Sequence, residues 1–248
     1  MSLSAENTIK YIEDGVLQNK TQLENLVINF NPGIASENSI SASDAIFLQL
    51  SCLVERPKKI MEIGTWVGTS AYALAQATIR RGYFDLEVPI YTCDDGPDNF
   101  YVVEGQESYT KRIIRHPETH SSEFLKNIDG GFDFVFVDGW LKDDDVEGIF
   151  EKCEDTFTFI THDYFRSQKI PNTSKSKLVF CKGYHDVQKM IEYGWEKGYE
   201  TELYPPSPDW YHGGFHVHHF GGVNACCAMI KFEKVAGLRF KRHIYGKT

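Results

Sequence analysis

The chain has 248 residues, enough for one α/β domain with a substantial core, and its 42% hydrophobic residues exclude a disordered chain. The formal net charge of −9 argues against a nucleic-acid partner, because such proteins usually present a concentrated basic face. No apolar stretch reaches about 18 residues, and the polar N-terminus has no basic region followed by an apolar one, so neither a membrane span nor a secretion signal is expected. The six cysteines lack C-x-x-C spacing, which favours a reducing, cytoplasmic location.

The predicted elements begin with two helices ahead of any strand. Helical segments run from Ala5 to about Ile28 and from Ser43 to Val54. The run Ser41–Asp44 offers capping side chains at the start of the second helix. We expect residues 1–56 to form a helical cover on one face of the sheet that follows.

A glycine turn between a strand and a helix is the most informative part of the sequence. Residues 58–70 run from a short apolar segment through Gly64 and Gly68 into a helix. These glycines let the backbone turn sharply and approach a ligand, while Glu62 puts an acid at the carboxyl end of the strand. A dinucleotide-binding fingerprint would need a glycine at the position of Trp66. An NAD(P)-dependent oxidoreductase is therefore the second interpretation of this loop rather than the first.

A second predicted strand, Val88–Asp94, also ends in an acid. Asp94 is the candidate for contacting a ligand at this edge, with Asp95 as the alternate. A solvated Asp-Asp-Gly-Pro turn explains this segment equally well when it is viewed alone.

The next stretch is less regular. Helical spacing runs from Glu104 to Arg115, and His116–Thr119 is the candidate for a short third strand. A further helix is expected to begin in His120–Leu125, where Ser121 or Ser122 could cap it.

Two further strands carry polar residues at their ends. Gly131–Trp140 is a nearly continuous apolar run that suits a strand buried on both faces, with Asp138 at its end. Val146–Cys153 is predicted to be a helix, and the fifth strand ends in Thr161–Tyr164. An imidazole, a carboxylate and a phenol therefore follow the fifth strand, facing Asp138 across the crevice.

The C-terminal third is predicted to hold a helix at Asp186–Lys197 and two strands at Tyr199–Tyr204 and Asn224–Phe232. An aromatic and histidine-rich insertion near 205–223 separates these strands. Its histidines lack the spacing of a soft-metal site, and its flanking glycines favour a flap that closes over an acceptor. A well-packed hairpin without ligand contacts is the alternative.

The pattern E-I-G-T-x-x-G-x-S at 62–70 resembles motif I of the class I S-adenosylmethionine-dependent methyltransferases. The resemblance implies a Rossmann-like, doubly wound α/β sheet of seven strands, mostly parallel with an antiparallel C-terminal strand. It implies one domain over 1–248, with 57–248 as the core. Similar enzymes bind S-adenosyl-L-methionine, with an acid after the second strand on the ribose hydroxyls and a serine near the adenine. The implied cofactor-binding residues are Glu62, Gly64, Thr65, Trp66, Gly68, Ser70, Asp94, Ser121 and Asp138.

Within this family the pattern is similar to small-molecule and sugar O-methyltransferases, including those of the catechol and caffeoyl-coenzyme-A type. In these relatives two strand-end aspartates hold a divalent metal, and Asp138 and Asp163 fall on the matching positions. Mg²⁺ would suit such oxygen ligands, although Tyr164 replaces the usual third ligand, an asparagine.

The H-D-Y sequence at 162–164 resembles the sugar O-methyltransferase branch, where His162 would act as general base together with Asp138 and Asp163. A structural, hydrogen-bonded histidine is the competing interpretation. Tyr164, Trp210 and Tyr211 are the candidate contacts to a small-molecule acceptor. A non-catalytic binding protein of the same fold is a further alternative, and a homo-oligomer stays open.

Overall fold

The computed structural model describes residues 10, 14, 18, 40, 42–79, 88–102, 107–162, 182–204 and 227–236. The three isolated N-terminal positions are helical and exposed, in agreement with the first predicted helix at those positions. The rest of that helix lies outside the described residues. In the described part of the chain, no helix combines the length and apolar character needed to cross a membrane.

The described helices and strands alternate along most of the chain. The helices are α1 (Ala42–Glu55), α2 (Thr69–Ile79), α3 (Glu107–Thr110), α4 (Ser121–Asn127), α5 (Asp143–Lys152) and α6 (Lys182–Glu196). The strands are β1 (Ile60–Ile63), β2 (Ile90–Cys93), β3 (Ile113–His116), β4 (Phe132–Val137), β5 (Cys153–Thr161), β6 (Tyr199–Tyr204) and β7 (Ala228–Lys234).

The seven strands form one sheet in the order β3-β2-β1-β4-β5-β7-β6. Strands β1 to β5 pair in parallel, whereas β7 lies antiparallel between β5 and β6. The predicted doubly wound, mostly parallel sheet is confirmed, including its antiparallel C-terminal strand. The strand order reverses direction between β1 and β4, and open α/β sheets bind ligands in the crevice at such a point.

The two faces of the sheet are packed with different side chains. On one face, α1 and α2 lie close to the strands because α2 presents small residues, including Ala71, Ala73 and Ala75. On the other face, α4, α5 and α6 pack through a cluster of aromatic rings that includes Phe150 and Phe232. Each face therefore excludes water from the central strands, which explains their continuous apolar sequences.

The predicted helix at Glu104–Arg115 is wrong for most of its length. The described part contains only the one-turn helix α3, and β3 follows at once. The β-branched residues Ile113 and Ile114 pair with β2, and Ile113 is buried against the core. The third strand predicted at His116–Thr119 is also wrong beyond its first residue, since the chain turns after His116.

The other described elements agree with prediction apart from their ends. Helix α5 begins at Asp143 rather than Val146, and β5 begins at Cys153 rather than Thr156. Helix α6 starts four residues earlier than predicted, at Lys182. These differences leave the strand ends that face the crevice where they were expected.

Candidate functional site

The register of the parallel strands brings the residues that follow four strands to one edge of the sheet. Ile63 at the end of β1 pairs with Cys93 of β2 and with Val137 of β4. Val137 pairs in turn with Thr161 of β5. The residues that follow these strand ends therefore lie side by side, and they are Gly64, Asp94, Asp138 and His162.

Two glycines shape the loop after β1. Gly64 has φ +99°, and a Cβ there would lie 2.7 Å from the Gly139 nitrogen. Gly68 has φ +89°, and a Cβ there would lie 2.3 Å from the ring of Phe100. Protein atoms therefore fill the space on the side of each glycine where a Cβ would point. Their conformation still allows the turn that leads into α2.

Asp94 is held in place by main-chain donors. Its Oδ2 accepts the Trp66 amide and its Oδ1 accepts the Gly96 amide, both over 2.8 Å. Each carboxylate oxygen can accept more than one hydrogen bond, so acceptor capacity remains on both. Asp94 and Trp66 line an open groove together with Phe100 and Arg115. The indole of Trp66 is 41% exposed at this groove.

The alternate acid after β2 is differently placed. Asp95 is exposed, and its Oδ2 lies 3.5 Å from the His120 ring on the surface. Asp94 is therefore the more firmly positioned carboxylate of the two.

Glu62 is a fully buried acid on β1. The Thr92 hydroxyl donates a hydrogen bond to its Oε2, and the Thr92 and Thr65 hydroxyls are also hydrogen bonded to each other. The pKa of Glu62 is raised to about 7, chiefly by burial; hydrogen bonds from hydroxyls lower it, and the nearby charges of Asp138 and Asp94 contribute to the rise. Glu62 thus stands where a nearby positive charge would favour its ionised form.

His162 lies between two carboxylates. Its Nδ1 is 2.9 Å from Asp138 Oδ1, and its Nε2 is 3.3 Å from Asp44 Oδ2. Asp44 comes from the first turn of α1 and is fully buried. A neutral imidazole has only one N–H, so satisfying both carboxylates requires a second proton in the group. The two carboxylates would therefore stabilise the imidazolium that forms when the ring takes up a proton.

Ser121 begins α4, and its hydroxyl donates to Asp145 Oδ2 over 2.8 Å. The Lys142 amide donates to the same oxygen over 2.9 Å, which fastens Asp145 in the first turn of α5. The other serine hydroxyl in the predicted set, that of Ser70, is buried at the start of α2.

The structure brings together Asp138 and His162 of the predicted catalytic residues, and Glu62 and Asp94 lie on the same edge. Four predicted residues fall outside the described part of the chain, and these are Asp163, Tyr164, Trp210 and Tyr211.

Sequence reasoning missed two buried acids, Asp44 and Asp145. Both could have been found, because each lies one helical turn before a buried apolar residue: Leu48 follows Asp44, and Ile149 follows Asp145. An acid that lies on the same helix face as buried apolar residues needs a buried hydrogen-bonding partner. It also missed Trp140, which is 77% exposed on the loop after Asp138.

A magnesium site was expected at Asp138 and Asp163. Within the described residues there is no group of three or more His, Cys, Asp or Glu side chains arranged to hold a metal ion. One oxygen of Asp138 is already bonded to His162. Asp163 lies outside the described residues, so the magnesium site stays a prediction.

Comparison with protein families gives a match over residues 61–164, to a family described as a methyltransferase domain. The matched segment runs from β1 to the residues that follow β5, and it contains the glycine loop, Asp94, Asp138 and His162. No curated protein sequence matches the chain.

Solved structures with the same fold include three methyltransferases. An SAH-bound methyltransferase of Podospora anserina, PaMTH1, is 17% identical with a TM-score of 0.54, over 90% of this chain and 88% of that one. An O-methyltransferase of Bacillus cereus in complex with SAH is 15% identical with a TM-score of 0.51, over 93% and 100%. The O-methyltransferase TomG of Streptomyces achromogenes, in complex with SAM, is 15% identical with a TM-score of 0.51, over 92% and 99%.

At these identities the structural matches establish the fold, and the family match supplies the sequence pattern along the ligand-binding edge. Both agree with the strand order and with the glycine loop described above. The chain is therefore similar to methyltransferase domains over residues 61–164, and it has the Rossmann-like α/β fold of the solved methyltransferases named above.

Proposed function

We propose that this protein transfers the methyl group of S-adenosyl-L-methionine to a hydroxyl of a small molecule or a sugar. The observation that carries the proposal is the pairing of His162 with Asp138 beside an edge that also holds Glu62 and Asp94. Such an edge offers acids to a cationic cofactor and an imidazole to an acceptor hydroxyl.

The charges along the edge favour this cofactor over a nicotinamide dinucleotide. Glu62, Asp94 and Asp138 are close enough for the charges of the two aspartates to act on Glu62. S-adenosylmethionine carries a sulfonium and an ammonium, which these acids attract, whereas a pyrophosphate would be repelled. Trp66 also stands where a dinucleotide fingerprint needs a glycine.

The site geometry supports the proposed cofactor contacts. Asp94 has acceptor capacity left for two ribose hydroxyls, since each of its oxygens accepts one main-chain amide. The acids Glu62 and Asp138 would face the cationic end, and the loop at 64–70 would contact the ligand through its backbone and hydroxyls. The proposed set is Glu62, Gly64, Thr65, Trp66, Gly68, Ser70, Asp94, Ser121 and Asp138.

When bound, the cofactor supplies an electrophilic methyl carbon, and this chain has to provide an acceptor oxygen with its proton removed. Asp138 holds the Nδ1 side of His162 at 2.9 Å, so Nδ1 donates and Nε2 is left to receive a proton. The Nε2 contact to Asp44, at 3.3 Å, is long for a hydrogen bond. An acceptor hydroxyl can therefore compete for Nε2.

Proton transfer from the hydroxyl to Nε2 makes an imidazolium between two carboxylates. Asp138 and Asp44 both stabilise that charge, which strengthens His162 as a base. General-base catalysis of this kind contributes about 10²–10⁴-fold. Holding the two reactants in line contributes as much as about 7–11 kcal/mol.

Acceptor contacts are proposed for Tyr164, Trp210 and Tyr211, all outside the described residues. Asp163 is proposed as a further acid beside His162 on the basis of its sequence position. We propose that the proton transfer depends on His162 rather than on a bound metal. Methyl transfer is assayed in excess chelator and again after Mg²⁺ is added. If activity is lost and then restored, a metal rather than His162 activates the acceptor hydroxyl.

Calorimetric titration with S-adenosylhomocysteine, NADH and NADPH tests the cofactor class. We expect S-adenosylhomocysteine to bind and NADH and NADPH not to bind. The reverse result would indicate an oxidoreductase. Formation of S-adenosylhomocysteine with a panel of hydroxylated acceptors then tests catalysis. A protein that binds the cofactor but turns over no acceptor of any class would be a binding protein.

A further inference from the structure

Glu62 is a buried acid at the ligand-binding edge, and part of its hydrogen-bonding capacity is unused. It is fully buried on β1, directly before the glycine loop. The Thr92 hydroxyl donates to Oε2, whereas Oε1 has no hydrogen-bonding partner within the described part of the chain. A buried, ionised carboxylate is stable only when it is well hydrogen bonded or faces a positive charge. Without a ligand, the ionised form of Glu62 therefore lacks part of what it needs.

The charged groups that act most strongly on Glu62 are two further acids. Asp94 follows the neighbouring strand β2, and Asp138 follows the neighbouring strand β4. Burial is the main cause that raises the pKa of Glu62 to about 7, and the negative charges of Asp138 and Asp94 add to the rise against the effect of hydroxyl hydrogen bonds. Below about pH 7 the protein without ligand therefore holds a proton on Glu62.

Two other titratable side chains lie near these acids. Burial raises the pKa of the Cys93 thiol on β2 well above its usual range, so this group stays neutral near pH 7. His162 lies beyond Asp138, with 2.9 Å between its Nδ1 and the carboxylate, and Asp44 of α1 contacts the far side of the ring. An imidazole titrates near neutral pH, so the effect of His162 has to be separated from that of Glu62 by experiment.

A positive charge in the crevice acts on Glu62 with the opposite sign to the two aspartates. Asp94 and Asp138 flank the crevice, and their charges reach Glu62 from there. A cation held between them favours the ionised form of Glu62 through the same Coulomb interaction, which does not require contact. S-adenosylmethionine carries a sulfonium and an ammonium, whereas S-adenosylhomocysteine keeps only the ammonium. The two ligands therefore differ by one positive charge at the place that Glu62 detects.

We propose that Glu62 senses the charge of the cofactor, and that it releases its proton to solvent when S-adenosylmethionine binds and takes a proton back once the methyl group has left. The ionised carboxylate attracts the sulfonium form more than the neutral thioether of the product. The preference for S-adenosylmethionine over S-adenosylhomocysteine therefore rises with pH. Glu62 is a specificity-determining residue in this scheme, and the inference rests on the proposed function because it requires this cofactor in the crevice.

Calorimetric titration of the full chain with each of the two ligands, from about pH 6 to about pH 8, tests the proposal. We expect the ratio of the two affinities to rise by roughly tenfold over this range, the equivalent of one pKa unit. Titration with S-adenosylmethionine at about pH 6, in buffers of different ionisation enthalpy, should show release of up to about one proton. S-adenosylhomocysteine should release fewer protons under the same conditions.

Glu62→Gln keeps the shape of the side chain but cannot titrate, so its affinity ratio should not change with pH. Thr92→Val removes a hydrogen bond that favours the ionised carboxylate and should move the rise to higher pH. His162→Ala is the control for the other titrating group, and it should keep the wild-type rise. Thermal melting without ligand establishes that each variant folds. If Glu62→Gln does not fold, the direction of the shift in Thr92→Val decides.

An affinity ratio that does not change with pH in the wild type would overturn the inference, as would an unchanged rise in Glu62→Gln. Loss of the rise in His162→Ala would assign the effect to the imidazole instead. These outcomes leave the proposed function intact, because the cofactor still binds. Failure of both ligands to bind at any pH would overturn both.

Discussion

The ligand-binding edge has two halves that are built differently. In the glycine-loop half, at the ends of β1 and β2, main-chain amides hold the Asp94 carboxylate. In the histidine half, at the ends of β4 and β5, the side chains of Asp44, Asp138 and His162 hold one another. The main-chain amides do not titrate, whereas the group of Asp44, Asp138 and His162 changes its hydrogen bonds when it gains or loses a proton. The first half is suited to holding a ligand and the second to moving a proton.

The strongest test of this contrast is removal of the imidazole. His162→Ala should lower kcat by about 10²–10⁴-fold, because the proton acceptor is lost. Cofactor affinity should stay near the wild-type value, since His162 lies in the other half of the edge. Calorimetry and initial rates measure the two effects, with His185→Ala on the exposed side of α6 as the control. Retained turnover would leave His162 a structural residue.

The reciprocal test removes Asp94. Asp94→Ala should weaken binding of S-adenosylhomocysteine by about 1.5–3 kcal/mol, the value of hydrogen bonds to a charged group. Asp95→Ala is the matched control, because that acid is exposed on the adjacent position. A larger loss in Asp95→Ala than in Asp94→Ala would show that the ribose acid is misassigned.

The pH dependence of the unfolding free energy tests the buried acid of the glycine-loop half, Glu62. The pKa of Glu62 is raised by burial from 4.5 to about 7, so the folded protein holds a proton that the unfolded chain has released. The stabilisation is complete below pH 4.5 and is lost as pH rises through about 7. The free energy of unfolding should fall by up to about 1.4 kcal/mol per pH unit in that window.

Glu62→Gln removes the titrating proton and should flatten this dependence. Urea denaturation of both proteins at several pH values in the window measures the difference. Parallel curves for wild type and variant would mean that Glu62 is not the group responsible.

A smaller effect is expected at the second glycine of the loop. Gly68→Ala should cost about 1–3 kcal/mol of unfolding free energy, because the new Cβ overlaps the Phe100 ring. Adding Phe100→Ala should recover the steric part, which a double-mutant cycle detects. Gly130→Ala is the control, since the nearest atom to its Cβ would be 3.4 Å away. Simple additivity of the two changes would contradict the overlap.

The smallest effect on cofactor binding is expected from the insertion near 205–223. Alanine at Trp210 and Tyr211 should leave the affinity for S-adenosylhomocysteine nearly unchanged while impairing acceptor use. Calorimetry and acceptor-dependent turnover measure the two properties. Lost cofactor binding in a folded variant would move the insertion to the cofactor site, and no change in either would make it structural.

The glycine-loop half could be predicted because its signals are local in sequence. Gly64 and Asp94 each follow an apolar strand directly, as Asp138 does in the histidine half, and parallel strands end at a common edge. The second partner of His162 could not be found this way, because Asp44 lies on a helix far away along the chain. The third strand was misplaced for a related reason: Ile113 and Ile114 fit a helical spacing locally, and only pairing with β2 makes them a strand.

The close approach of Gly64 to Gly139 has a consequence for how such a protein can diverge. A Cβ at Gly64 would meet the Gly139 backbone, and a Cβ at Gly139 would lie 3.2 Å from Ile63 Cγ2. Gly64 cannot accept a side chain unless the ends of β1 and β4 separate, whereas a side chain at Gly139 needs only a small shift of the Ile63 methyl group. The width of the crevice is therefore inherited chiefly as a property of Gly64. We expect homologous chains that replace Gly64 to have a wider opening between these strands, and a change at Gly139 alone to leave that opening the same.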